Sequence, residues 1–555
     1  MILVAAIGWA CQDTVRSGPA DGDLADISIS YLCGNSFFIA NQSPVTRTVG
    51  YAVLGSSERG ELLLPPDTTG APSTTRLIAL HTGSLQLSSG DQLSQPMENG
   101  ARACPPPAWT SQPEAVAGLW SPPFPWPIVA VHLHLLPSGQ VLSWGRVGAP
   151  QVFDPVTGGF TQVPTSSMVF CGGHTFLADG RLFVSGGHLD DLRGIADANV
   201  FDGQASSWES LHPMRFARWY PTSTTLPGGE VLTLGGTDES AQQVLTPEVW
   251  NGAEWRSLTG GERELPYYPR TFVAPNGLIF YAGELQESAY LDPSGAGRWI
   301  PVASSLYGRR DYGSAVMYRP GRVMIVGGSD PPDGPPTHTA EVIDLSDPAP
   351  SWHYTAPMTH ARRHLNATIL PDGDVLVTGG TSSGGFSDRA GSVHAAESWD
   401  PEDQQWSVLA SNSIDRVYHS TTILLPDGRL LHAGSGDGPG VPRELTAELF
   451  APPYLFKGPR PSIDNVPSTV SFGESFFLET RNAGEILRVT AVRLSSATHA
   501  FDQSQRFAEL EFQRSAGGLT VQAPRSGALA PPGPYLLFIL NGDGVPSIAK
   551  VVIVT

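Results

Sequence analysis

The sequence predicts an all-β protein, a seven-bladed β-propeller flanked by a small N-terminal β-sandwich and a C-terminal Ig-like β-sandwich. Three observations predict it. First, one phrase recurs seven times between residues 130 and 440: an apolar stretch, a tight turn on Gly139, Gly180, Gly229, Gly277, Gly321, Gly373 or Gly428, and a β-rich run to a second glycine six residues on. Second, these repeats come every 40 to 55 residues or so and trail a Trp or Phe, the pattern of a kelch-type propeller with one four-stranded blade per repeat. Third, 61 Gly and 50 Pro with only 15% charged residues, and no long helical periodicity, leave little room for helices.

Along the chain, residues 1–25 read as a leader. The apolar Met1 to Ala10 ahead of Cys11 is too short to span a bilayer but fits the end of a secretion signal, with Cys11 as a lipidated first mature residue. The protein is therefore expected to be exported, either secreted or lipid-anchored at the cell surface. Residues 26–105 alternate apolar and polar positions between Gly, Pro and Ser turns, as in Ser36-Phe-Phe-Ile-Ala, and read as the first sandwich. Cys33 and Cys104 bracket it and are expected to staple it in an oxidising compartment. That leaves Cys171 unpaired, and an unpaired cysteine in an exported protein needs a reason.

A proline-rich linker from Cys104 to Pro127 leads into the propeller, expected over 106–450, with hairpins written Leu136-Pro-Ser-Gly, Leu177-Ala-Asp-Gly, Leu226-Pro-Gly-Gly, Leu370-Pro-Asp-Gly and Leu425-Pro-Asp-Gly. Trp208, Trp255, Trp299, Trp352 and Trp406 close the repeats as core residues. Residues 451–555 form the expected Ig-like domain, in which Ser495-Ser-Ala-Thr-His499 reads as a loop carrying an isolated histidine. A net charge of -20 argues against nucleic acid or an anionic membrane as partner. A monomer acting on a small molecule is expected.

The register of the repeats singles out a chemistry. Nine residues before the turn glycines stand Ala130, Cys171, Tyr220, Tyr268, Tyr312, His364 and His419, with Tyr418 beside the last. Equivalent positions of a propeller lie equivalently about its axis, so one ring carries a thiol, phenols and imidazoles. Such donors ligate a redox-active transition metal, and mixed N,O sets of tetragonal geometry favour Cu(II).

Met168-Val-Phe-Cys171-Gly-Gly-His, Ala217-Arg-Trp-Tyr220-Pro, Tyr312-Gly-Ser-Ala-Val-Met-Tyr, Arg416-Val-Tyr418-His419-Ser, Ala497-Thr-His499 and Asn541-Gly-Asp-Gly-Val-Pro-Ser, in this order, resemble the galactose oxidase and glyoxal oxidase family of copper radical oxidases. The resemblance covers roughly three quarters of the chain. It implies one copper ion held by Tyr220, Tyr418, His419 and His499, and a thioether between Cys171 and Tyr220 that becomes the tyrosyl radical. It further implies that Tyr418 is the base, that Tyr220 removes hydrogen from carbon, and that O2 is reduced to H2O2. Shared register makes the Cys171–Tyr220 meeting plausible on its own terms.

His364, Tyr268 and Tyr312 read as packing or lining residues, and His174 and His188 as structural or supporting ones. One departure bears on substrate. Galactose oxidase follows its Gly-Gly-Ser with a Trp that stacks on the crosslinked ring, whereas Gly235-Gly236-Thr237 is followed here by Asp238. The Arg-Trp-Tyr220 phrase is closer to glyoxal oxidases, so small aldehydes or primary alcohols are expected as substrates. Two other readings remain: a catalytically silent kelch-propeller binding or adhesion protein, and a carbohydrate-binding surface protein that works through its sandwiches.

Overall fold

In the computed structural model, which describes residues 24–67, 72–102, 104, 112–438 and 441–555, antiparallel sheets follow one another from residue 119 to 451. Cys11, the leader up to residue 23 and linker residues 105–111 lie outside the described residues. The protein is all-β, and five of the successive sheets have exactly the strand order of a repeat read along the chain, for example Thr222–Thr225, Val231–Leu234, Glu248–Trp250 and Trp255–Ser257. Each sheet begins on a short strand buried on both faces, such as Gly173–Phe176 or Thr421–Leu424, and ends on a more exposed one, such as Ser207–Ser210.

First strands of neighbouring sheets lie side by side. Thr222–Thr225 touches Gly173–Phe176 and Thr271–Val273, Asn366–Ile369 touches Ser314–Arg319 and Thr421–Leu424, and the last of these also touches His132–Leu135 of the first sheet. The final sheet is completed by Leu119–Trp120 and Phe124–Pro125, which come from ahead of the first sheet and pair with Thr446–Ala451. Two chain ends of the series are thereby hydrogen-bonded into one sheet.

The turn chemistry explains the hairpins. Gly428 takes φ of 82° and donates its N–H to Leu425 O at 2.9 Å, a backbone state that a residue with a Cβ adopts only under strain. The repeat tryptophans reach back to the preceding repeat: Trp208 Nε1 donates to Val163 O, Trp299 to Gly261 O and Trp406 to Ala356 O, all within 2.9 Å. Each ring thus contributes apolar burial and one hydrogen bond between neighbours.

The chain divides into two compact units: Met1–Ala108 with Phe477–Leu487 and Phe512–Val521, and Trp109–Phe476 with Arg488–Glu511 and Gln522–Thr555. Residues 451–555 therefore contribute to both units. In the first unit, the sheets of Ile27–Cys33, Ser36–Asn41 and Ser73–Ile78 and of Arg47–Val53, Arg59–Leu64, Leu85–Ser89 and Gln92–Leu93 enclose Phe37, Ile39, Val49, Tyr51, Leu62 and Leu77. Cys33 and Cys104 are disulfide-bonded. Arg514 belongs to this unit because its guanidinium is buried against Glu58 Oε1 at 3.0 Å and Tyr51 Oη at 2.9 Å. In the second unit, Gly533–Asn541 pairs with Lys550–Val554. No helix among the described residues is long and apolar enough to cross a membrane.

Candidate metal centre

The ring of register positions has a shared backbone state. Cys171, Tyr220, Tyr268, Tyr312, His364 and His419 all take positive φ, from 47° to 67°, and so does His499 at 45°. Non-glycine residues seldom do so, and each instance costs about 1–3 kcal/mol that the surroundings must offset. Part of the offset is visible. Tyr220 N–H donates to Cys171 O, Tyr268 N–H to Tyr220 O and His364 N–H to Tyr312 O, each at 2.9 Å, which ties neighbouring ring positions together.

Buried ion pairs brace four of these positions. Arg218, Arg310, Arg362 and Arg416 stand two or three residues before Tyr220, Tyr312, His364 and His419, and each donates to the carbonyl of its repeat's second glycine: Gly235, Gly327, Gly379 or Gly434. Each also pairs with a buried glutamate of the third strand: Glu248, Glu341, Glu397 or Glu448. The glutamates in turn accept backbone N–H groups of the incoming loop, Ser413 N to Glu448 at 2.9 Å being one. Sequence reasoning missed this clamp, though its signal was present as a recurrent Arg just ahead of the ring residue.

His499 reaches the ring by strand pairing. The stretch read as a loop is instead the strand Ser496–Thr498, which adds to the first sheet with His132 opposite Thr498 and His134 opposite Ser496. It satisfies the edge of the buried strand His132–Leu135 that no other described strand pairs with.

Four of the five singled-out side chains converge on a point. Tyr220 Oη lies 2.7 Å from Tyr418 Oη and 2.7 Å from His499 Nε2, His419 stacks on Tyr418 with centroids 3.7 Å apart, and the two imidazole centroids are 4.6 Å apart. Tautomers follow from the partners. Thr498 Oγ1 donates to Val131 O, so it accepts from His499 Nδ1–H at 2.6 Å; His419 Nδ1–H donates to Gly436 O. Both Nε2 atoms are therefore bare acceptors, and His419 Nε2 is buried with no partner among the described residues.

Burial drives the His419 imidazole down to about 3 and that of His499 well below its ordinary range, while it pushes the Tyr220 and Tyr418 phenols up. Two neutral imidazoles and two phenols costly to ionise are a donor set that a buried cation would match. No three His, Cys, Asp or Glu side chains gather as a metal site among the described residues, so mixed His and Tyr donors are the candidate.

Cys171 is fully buried in a cluster with Phe170, Trp219, Tyr220 and Tyr268, where burial raises its thiol well above the ordinary value. Trp219 stacks on Tyr220 at 3.7 Å and 13°, and its Nε1–H donates to His188 Nδ1 at 3.2 Å. The ring over Tyr220 thus comes from the adjacent residue in the chain. Asp238 instead accepts Ser240 N and Gln242 N in a turn and does not line the cavity beside the site.

A chain of histidines supports Cys171 from behind. Its N–H donates to His132 Nε2 at 3.0 Å; His132 Nδ1 meets His174 Nε2 at 3.0 Å; His174 Nδ1 meets Ser496 Oγ at 2.6 Å; and Ser496 Oγ meets His134 Nδ1 at 2.9 Å. Because a backbone N–H can only donate, the neutral His132 donates from Nδ1 to His174, and His174 donates from Nδ1 to Ser496 Oγ. His364 is committed differently, with Nε2 on Phe386 O at 2.6 Å.

A cavity of about 340 Å³ opens beside the cluster. Tyr220 and His499 line it, with Tyr268 and Tyr312 as expected, and Cys171, Tyr418 and His419 do not.

Comparisons agree with these features. The family described as "Glyoxal oxidase N-terminus" matches residues 334–454, and "Galactose oxidase-like, Early set domain" matches 460–554. A galactose oxidase of Gibberella zeae is 28% identical over 498 residues, 80% of this chain and 71% of that one. An aldehyde oxidase of Vitis pseudoreticulata is 28% identical over 468 residues, 76% of this chain and 88% of that one. A solved fungal alcohol oxidase of the AA5 family, in complex with copper, matches with a TM-score of 0.73 and 25% identity over 79% of this chain and 100% of that one. Motifs, relatives and solved structure point the same way: this chain is similar to the galactose oxidases and glyoxal oxidases, a family of copper oxidases.

Proposed function

We propose that this protein is a copper-dependent radical oxidase that oxidises small aldehydes or primary alcohols with O2 and releases H2O2. The observation that carries the reading is the convergence of two bare imidazole Nε2 atoms and two phenol oxygens beside a buried thiol. In it, His419, His499, Tyr220 and Tyr418 hold the metal, and Cys171 is joined through sulfur to the Tyr220 ring. Copper held there supplies a one-electron couple beside the protein radical, so two electrons pass per turnover without an organic cofactor.

The remaining roles belong to this chain. Tyr418 Oη, which would carry no proton once a cation is held beside it, takes the substrate hydroxyl proton, and Tyr220 Oη, as the oxygen of the one-electron-oxidised ring, takes a hydrogen atom from the adjacent carbon. Trp219, stacked on Tyr220 and anchored by His188, covers the ring that carries the unpaired electron. The His132 chain and the Arg–Glu clamps hold the ring in its strained backbone state. We read the successive sheets as the seven blades of a kelch-type propeller with this ring at its mouth, and the Cys33–Cys104 bond as support for export.

The test is peroxide release from copper-loaded protein across a panel of aldehydes and primary alcohols. Peroxide that needs both copper and substrate is expected. Copper binding with no peroxide from any member of the panel would overturn the reading.

A further inference from the structure

The cavity beside Tyr220 and His499 has a charged wall that the oxidation itself does not use. Glu264, Glu284 and Asp311 line it together with Arg270 and Arg309. Both guanidiniums are largely spent within the protein: Arg270 donates to Tyr268 O and Gly313 O, and Arg309 donates through Nε and Nη2 to Glu284 Oε1. The carboxylates are not spent. Among the described residues no donor is within hydrogen-bond reach of Glu284 Oε2, and Asp311, whose Oδ2 receives Arg363 and the Asp333 N–H, has only Arg309 at 3.9 Å from Oδ1.

Glu284 and Asp311 side chains are only 8% and 10% exposed, so little solvent competes for those oxygens. Burial raises the Glu284 carboxyl above its ordinary value despite the Arg309 hydrogen bonds to Oε1, which is the cost of a poorly solvated charge whose Oε2 has no donor among the described residues. A ligand in this cavity therefore meets acceptors and negative charge at the wall, and the aromatic faces of Tyr267, Tyr268 and Tyr312 elsewhere.

We propose that Glu284 and Asp311 select the substrate: they receive a hydroxyl or amino donor carried at the far end of the aldehyde or alcohol, and they exclude anionic substrates. This rests on the oxidase reading and deepens it. A buried acceptor left without a donor penalises a ligand lacking one, whereas a carboxylate end faces like charge. Neutral hydroxyl and ammonium ends share the required chemistry, and ammonium gains further from the carboxylate charge.

A size-matched set separates these ends: 1-butanol, 1,4-butanediol, 4-amino-1-butanol and 4-hydroxybutanoate. With copper-loaded full-length protein, kcat/KM for the diol and the amino alcohol should exceed that for 1-butanol by about tenfold or more, and 4-hydroxybutanoate should fall below it. In Glu284→Gln the amino-alcohol preference over 1-butanol should shrink about tenfold and the rejection of 4-hydroxybutanoate should relax. Asp311→Asn serves the same purpose should the first variant not fold. Calorimetric binding of the four compounds repeats the comparison without turnover, so absence of peroxide would sink the oxidase reading while leaving this one decidable. Equal kcat/KM and equal affinity across the set, or a preference unchanged in the variants, would overturn the proposal.

Discussion

Replacing Glu448 by Gln tests whether the buried Arg–Glu clamps hold the ring of residues at the candidate metal centre. Arg416 and Glu448 side chains are both 0% exposed, and Glu448 accepts from Arg416 Nε at 3.1 Å, Ser413 N at 2.9 Å and Ser413 Oγ at 2.8 Å. Burial already pushes the Arg416 guanidinium below its ordinary value, with Glu448 as its main compensation. Neutralising that partner leaves a buried cation with only neutral acceptors, the Gly434 and Thr446 carbonyls, Thr446 Oγ1 and the new amide, a loss of about 3–5 kcal/mol. The exposed Arg322–Asp344 pair, at 55% and 26% exposure, is the control. Its Asp344→Asn change should cost about 0–1 kcal/mol, since solvent already screens it. Guanidinium unfolding of the three proteins reads the difference. Because Arg416 stands two residues before Tyr418, copper affinity should fall in Glu448→Gln as well. A Glu448→Gln protein as stable as Asp344→Asn would refute the clamp as the source of rigidity.

Three further outcomes are expected. Copper and O2 should lower the intact mass by two hydrogens as Cys171 joins Tyr220, and a thiol at Cys171 that still titrates after treatment would exclude the linkage. His499→Ala should weaken copper binding by more than about 10- to 100-fold, the range for losing a supporting group, while His364→Ala, whose Nε2 is taken by Phe386 O, should change it far less; equal losses would refute the ligand assignment. His174, held by burial at about 3 against 6.5 unfolded, takes up a proton between those values only in the unfolded chain. Its contribution to stability is complete above pH 6.5 and is lost as pH falls toward 3, by up to about 1.4 kcal/mol per pH unit. The acid slope of unfolding should flatten in His174→Gln, and an unchanged slope would contradict the assignment.

Much of the candidate site was legible because a repeat carries its own ruler. Counting back nine residues from Gly180, Gly229 and Gly428 finds Cys171, Tyr220 and His419, and the structure gives all of them the same left-handed backbone. The Cys33–Cys104 bond was legible because the two cysteines bracket the strand-rich first sandwich. Hairpin turns were legible because Leu-Pro-Asp-Gly states its geometry within four residues.

Tertiary structure decided what depends on partners far apart in sequence. His499 meets Tyr220 across 279 residues because Ser496–Thr498 satisfies the edge of His132–Leu135, an edge no local pattern announces. The histidine chain behind Cys171 arises because Ser496 bridges His174 and His134 from over 300 residues away. Trp219 rather than a residue at 238 covers Tyr220, a stack between chain neighbours formed where Tyr220 takes positive φ. Residue identity and repeat spacing determine which groups share a ring; long-range hydrogen-bonding demand determines which of them touch, because a buried donor or acceptor left unmet costs more than the chain loses by ordering a distant segment to meet it.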